Sequence, residues 1–130
     1  MVKEKIKPKI LIIEDDTQSL YMLTFLLETD NYQVIQSTNG YDGIANANNF
    51  KPDAIILDIQ LPGINGYEVA KELKKNNETR NIPIIAVTSF AMNVDKIKAL
   101  EAGAIGHIAK PIDPDTFILK MESLIPSLCA

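Results

Sequence analysis

The chain of 130 residues holds one cysteine, Cys129, close to its C-terminus. An internal disulfide and a cysteine-based metal site are thereby excluded. Positive charge is also scarce, since 13 Lys and Arg against 17 Asp and Glu give a formal net charge of -4. Nucleic-acid-binding modules concentrate Lys and Arg on one face, and no such concentration is present. Long apolar runs are missing as well. The first run, Ile10 to Ile13, ends at Glu14, too short for the apolar centre of a secretory signal, and no segment approaches the length of a membrane span. The expectation is a cytoplasmic protein with neither nucleic acid nor membrane as partner. Its length suits one domain over 1–130, with a core over about 8–126 and no room for a second module. A chain of this size buries roughly two thirds of the surface its unfolded form exposes, enough for a core without staples.

What is present is an alternation. Four apolar runs rich in Ile and Val, KILII, YQVIQS, DAIILD and IPIIAVTS, read as buried strands, and AIGHIAK is a weaker fifth. Between them apolar residues recur at helical spacing: Leu20, Leu23, Leu26 and Leu27; Tyr41, Ile44, Ala45 and Asn48; Val69, Ala70 and Leu73; Val94, Ile97 and Leu100. Gly103 is placed to end the fourth helix. The last helix is expected to start with Asp113 as N-cap and Pro114 in first position, carrying Phe117, Met121, Leu124 and Ile125 inward.

Strands apolar on both faces and alternating with helices predict an α/β fold, a parallel sheet covered on both sides. Right-handed crossovers leave the five-stranded, flavodoxin-like, doubly wound order 2-1-3-4-5 with five helices as the natural choice. In such sheets ligands bind outside the carboxyl ends of the strands. The first strand ends in Glu14-Asp15-Asp16, the third in Asp58, the fourth in Thr88-Ser89, and the fifth runs into Lys110-Pro111. The first and third strands are neighbours in this order, which brings Asp15 and Asp58 into one acidic pocket. Like charges about 5 Å apart at an effective dielectric near 20 repel by roughly 3 kcal/mol, so the pocket calls for a cation. Hard oxygen ligands with room left for water and a phosphoryl group suit Mg²⁺. A carboxylate there can attack phosphorus and form an aspartyl phosphate. Metal, lysine and hydroxyl would then balance the phosphoryl charge.

In order and spacing, the segments KILIIEDD, AIILDIQLPGINGYEV, IPIIAVTSFA and GAIGHIAKP resemble the blocks of response-regulator receiver domains. The resemblance spans nearly the whole chain and implies a stand-alone receiver of a two-component or phosphorelay pathway. Carried over by position, it implies that Glu14 and Asp15 form the acidic pair, with Asp15 a direct Mg²⁺ ligand. Asp58 would be the phosphoacceptor and second ligand, and Gln60 would offer its backbone carbonyl to the metal. Thr88 would hydrogen-bond the phosphoryl group and Lys110 would pair with it, after a cis Lys110-Pro111 bond. The donor would be a phosphohistidine on a sensor histidine kinase or phosphotransfer protein, and the chain would catalyse only its own modification and its slow reversal. Output would pass to a downstream protein through the face of the fourth helix, fifth strand and fifth helix, with Ala91, Met92, Val94, Ile97, His107 and Phe117. The protein would be a monomer or a phosphorylation-dependent dimer.

Taken singly, each element has a plainer reading. An acidic cluster after a strand is commonly a solvated loop or a helix cap, and Asp16 is expected to be such a cap. Asp58 before Leu61-Pro62-Gly63 could start a turn, Thr88 could be an ordinary strand residue, and Lys110 a solvated lysine. The conjunction of four strand ends is what carries the reading. His107 stands where the family commonly has Tyr or Phe that swings inward with Thr88; it is either such a switch or a half-exposed imidazole. Phe90, two residues beyond Thr88, is placed to cover the phosphoryl group and lengthen its life. Three other readings compete. An aspartyl-phosphate phosphatase would want an acid two residues after Asp58, where Gln60 stands. An FMN protein would want a Ser/Thr/Gly phosphate cradle in the first loop, which is acidic. A degenerate receiver that acts by protein binding alone would have no need of Asp15, Asp58, Thr88 and Lys110 together.

Overall fold

A computed structural model describes residues 6–89 and 93–129. Strands β1 (Lys9–Ile13), β2 (Gln33–Ser37), β3 (Ala54–Asp58), β4 (Ile84–Thr88) and β5 (Gly106–Ala109) form one parallel sheet in the order β2-β1-β3-β4-β5. Helices α1 (Thr17–Thr29), α2 (Gly40–Phe50), α3 (Gly66–Lys75), α4 (Asn93–Ala102) and α5 (Phe117–Leu124) alternate with them. A short 3₁₀ turn, Pro126–Cys129, follows. This is the flavodoxin-like arrangement expected from the alternation of runs. Strand residues β-branched on both faces, such as Ile10, Ile12, Ile55 and Ile56, are buried because helices cover both sides of the sheet. α1 and α5 pack with Ile10, Ile12, Val87 and Ile108 on one side; α2, α3 and α4 pack with Leu11, Ile13, Leu57 and Ala86 on the other.

α1 and α3 bury the stripes their spacing predicts, Leu20, Leu23 and Leu27 in the first and Val69, Ala70 and Leu73 in the second. Leu26 is half-buried beside them. Asp16 caps α1, its Oδ2 accepting from the Ser19 N–H (3.0 Å) and hydroxyl (2.8 Å). Gly103 ends α4 at φ 115°, with its own N–H bonded to Leu100 O and that of Ala104 to Ala99 O, a closure that needs a positive φ. The Lys110–Pro111 bond is cis, as the resemblance implies.

Four expectations are corrected. In α2 the buried residues are Gly40, Gly43 and Ala47, while Tyr41 and Ala45 are exposed. The helix lies so close to β1 that a side chain at Gly43 would run into Ile13, so small residues face the sheet. In α4 the apolar stripe does not face the sheet: Leu100 is exposed along with Val94 and Ile97, the two already placed on the partner face, and Ala99 and Ala102 are the buried ones. α5 begins at Phe117 rather than Pro114. Asp113 closes a turn instead, its Oδ1 accepting the N–H of Asp115 at 2.9 Å, so that Pro114 lies in the turn. Finally, Phe117 is fully buried against Met121 and Ile108, which removes it from the expected partner surface.

Candidate functional site

The pocket assembles at the carboxyl ends of β1, β3, β4 and β5. β1 continues its pairing one residue past Ile13, since the Glu14 N–H donates to Ser37 O (2.9 Å). This fixes the backbone of Glu14, whose side chain is buried, with Asp15 exposed next to it. Ile13 is opposite Leu57 in the ladder, so Glu14 and Asp58 follow at the same level of adjacent strands. Asp58 is buried and is the last residue of β3. Its Oδ1 accepts the N–H of Gln60 at 3.0 Å, and the chain beyond folds back, Gly66 N–H donating to Ile59 O at 3.0 Å. That return explains Gly66: a Cβ there would lie 2.5 Å from Ile59 Cα and 2.6 Å from Asp58 O. Thr88 ends β4, buried and opposite Ala109, and its carbonyl accepts the N–H of Lys110 at 2.9 Å.

From β5 the Lys110 side chain reaches across the pocket. Its Nζ lies 2.7 Å from Glu14 Oε1 and 3.2 Å from Asp58 Oδ2. The first contact is an ion pair that lacks hydrogen-bond alignment, and Glu14 Oε1 is a buried oxygen without a hydrogen bond. Glu14 Oε2 accepts the N–H of Asp16 at 3.2 Å. Glu14, Asp15 and Asp58 each bring an oxygen within 4.8 Å of the others. Three carboxylates against one ammonium leave an excess of negative charge. Burial, then the adjoining Asp58 carboxylate, pushes Glu14 up to about 7, although Lys110 and the Asp16 N–H pull the other way. Burial works against the charge on Lys110, yet Glu14 and Asp58 outweigh it and raise the ammonium above its ordinary value. The buried oxygen without a hydrogen bond, the raised acid and the oxygen-only donor set all fit a hard divalent cation.

Glu14, Asp15, Asp58 and Lys110 are thus brought together. Thr88 is in the adjoining strand and joined to Lys110 through the backbone. The side chain of Gln60 is exposed, and its N–H holds Asp58. Asp16 faces its helix as expected. His107 lies on β5 opposite Ala86, half-buried. Phe90, Ala91 and Met92 fall outside the described residues. The sequence reading missed buried Ser37 and half-buried Asn46, which are hydrogen-bonded (Asn46 Nδ2 to Ser37 Oγ, 2.8 Å), Ser37 being the residue whose carbonyl holds the Glu14 backbone. It also missed Gly66, whose signal was a glycine just after the helix-capping Asn65, itself bonded to the Glu68 N–H.

Comparison with known proteins agrees with this geometry. The family model described as "Response regulator receiver domain" matches residues 10–122. Protein PilH of Pseudomonas aeruginosa is 37% identical over 117 residues, covering 90% of this chain and 97% of that protein. The polar-differentiation response regulator DivK of Brucella anthropi is 38% identical over 116 residues, covering 89% of this chain and 94% of DivK. The solved receiver domain of sensor histidine kinase PA1611 from Pseudomonas aeruginosa, with a magnesium ion coordinated in its active site cleft, has a TM-score of 0.85. It is 27% identical, with 93% of this chain and 99% of that one covered. The chain belongs to the response regulator receiver domain family and is a receiver domain of two-component signalling.

Proposed function

We propose that Asp58 accepts a phosphoryl group from a phosphohistidine on a sensor histidine kinase or phosphotransfer protein, and that the modified domain then presents a changed surface to a downstream protein. The observation that carries this reading is the setting of Asp58. One oxygen is fixed by the Gln60 N–H and the other faces Lys110, with two further carboxylates beside it. Asp58 is the nucleophile: it forms the bond to phosphorus as the histidine nitrogen leaves. Asp15, Asp58 and the Gln60 carbonyl would hold Mg²⁺, with Glu14 supporting, and the ion would neutralise charge on the transferring oxygens. Lys110 pairs with the phosphoryl group on the other side, and the Thr88 hydroxyl donates to it. Phosphorylation adds negative charge and strong acceptors, drawing Thr88 and Lys110 toward Asp58.

The responding surface is the α4, β5, α5 face, whose exposed apolar residues include Val94, Ile97, Leu100 and Leu119. The domain modifies itself and turns over no external substrate; the exposed amide of Gln60 offers no general acid of the kind an aspartyl-phosphate phosphatase needs. No described helix is long and apolar enough to cross a membrane, and the reading places the protein in the cytoplasm with its kinase. It works as one domain, monomeric or dimerising on phosphorylation. Incubation with a small phosphodonor and Mg²⁺, followed by intact mass measurement, tests the acceptor. Wild type should gain one phosphoryl group and Asp58→Ala none; equal uptake by both would refute the assignment.

A further inference from the structure

α4 is docked the opposite way round to α1 and α3. The side chains it buries are Ala99 and Ala102, while Val94, Ile97 and Leu100 are 60%, 53% and 54% exposed. Its charged Asp95 and Lys96 are half-buried. Small methyl groups thus hold the helix down.

What lies beneath is His107, the one histidine of the chain. Its neighbour Ile108 enters the cluster with Phe117 and Met121 of α5, so strand alternation turns His107 to the other face. Its cross-strand partner there is Ala86, which clusters with Ala99 and Ala102 of α4 and with Ala104. β4 presents no charged side chain, and α5, with Lys120 and Glu122, lies against the opposite face of the sheet. α4 brings Asp95, Lys96, Lys98 and Glu101. Lys98 and Glu101 are exposed, and Asp95 is close enough to Tyr67 of α3 to join burial in raising that phenol. Lys96 is the charge that acts on the imidazole.

We propose that His107 is a proton-operated control of α4: the neutral imidazole lets the helix lie on its alanines, and an imidazolium beside Lys96 drives it away from the sheet. The idea deepens the reading of α4 as part of the partner face and rests on it. Burial first, and then Lys96, lowers the imidazole below its ordinary 6.5. The folded chain therefore takes up this proton less readily than the unfolded one. The docking contribution of the neutral ring is complete above about pH 6.5 and is lost as pH falls below it. A fall in cytoplasmic pH would shift the same surface that phosphorylation shifts, through a different group.

The test is an NMR titration of the unphosphorylated protein without Mg²⁺, so its failure leaves the Asp58 reading untouched and is distinguishable from it. The single imidazole signal should titrate with a midpoint below 6.5, and backbone signals of Asn93–Ala102 should move with the same midpoint. Lys96→Gln should raise that midpoint. In a Glu14→Gln background, which removes the other group titrating in this range, His107→Gln should abolish the α4 titration while leaving the amide signals of α1 in place, which shows an intact fold. Signals of α4 that ignore the imidazole midpoint, or that still titrate with it in the Glu14→Gln, His107→Gln double variant, would overturn the proposal.

Discussion

Helices α3 and α4 are both ten residues long, pack on the same face of the sheet, and are held to it very differently. α3 buries Val69, Ala70 and Leu73 and is capped by Asn65. α4 buries Ala99 and Ala102 and leaves its larger aliphatic residues in water. Full burial of a leucine stabilises by roughly 1.5–3 kcal/mol, and a buried methyl by about 0.8 kcal/mol, so α3 is the better anchored of the two. The difference matches their places in the domain. α3 follows the loop that folds back onto Asp58, which has to stay aligned if it is the acceptor proposed. α4 follows Thr88, and a helix that transmits a signal must be movable by a few kcal/mol. On the proposed reading the fold joins a fixed acceptor to a loosely held reporter.

The sharpest way to break the fixed side is Leu73→Ala, which should cost about 3 kcal/mol in urea unfolding through the cavity it leaves. A gain is expected from Glu14→Gln. Glu14 is raised to about 7 from 4.5, so the folded state holds its proton more tightly than the unfolded chain. The wild type should therefore gain stability from this group as pH falls from 8 through 7 toward 4.5. At pH 8 without Mg²⁺ the Gln variant should be more stable by on the order of 2 kcal/mol, and its pH slope flatter. Measurement in a His107→Gln background removes the opposite slope of the imidazole. A variant no more stable than wild type would show that the carboxylate repulsion is already relieved. The smallest effect belongs to the reporter side: Ile97→Ser should change stability by less than about 0.5 kcal/mol. It should nonetheless weaken binding of the downstream partner, as measured by pull-down or calorimetry against the phosphorylated protein.

The sheet was legible because its strands are apolar runs bounded by polar residues, and KILII coincides with β1 to the residue. The pocket was legible because reactive side chains stand at strand tips, where Glu14, Asp58 and Thr88 end or follow their runs. Periodicity located α2 and α4 but not their orientation. It reports that a helix has an apolar stripe, and cannot say that a glycine at 43 or alanines at 99 and 102 are what the sheet accepts at close range. Local capping chemistry misplaced the start of α5 because an Asp before Pro serves a turn as readily as a helix. The shift in Glu14 was out of reach, since it arises from the burial of one carboxylate in a run of three whose other two, Asp15 and Asp16, are exposed.

The central claim is tested most directly by trapping the acyl phosphate. After treatment with a small phosphodonor, borohydride reduces an aspartyl phosphate to homoserine, which peptide mass mapping can locate. Homoserine should be found at position 58, and only when donor and Mg²⁺ are both supplied. Conversion at another carboxylate, or equal conversion after the metal has been chelated, would contradict the account.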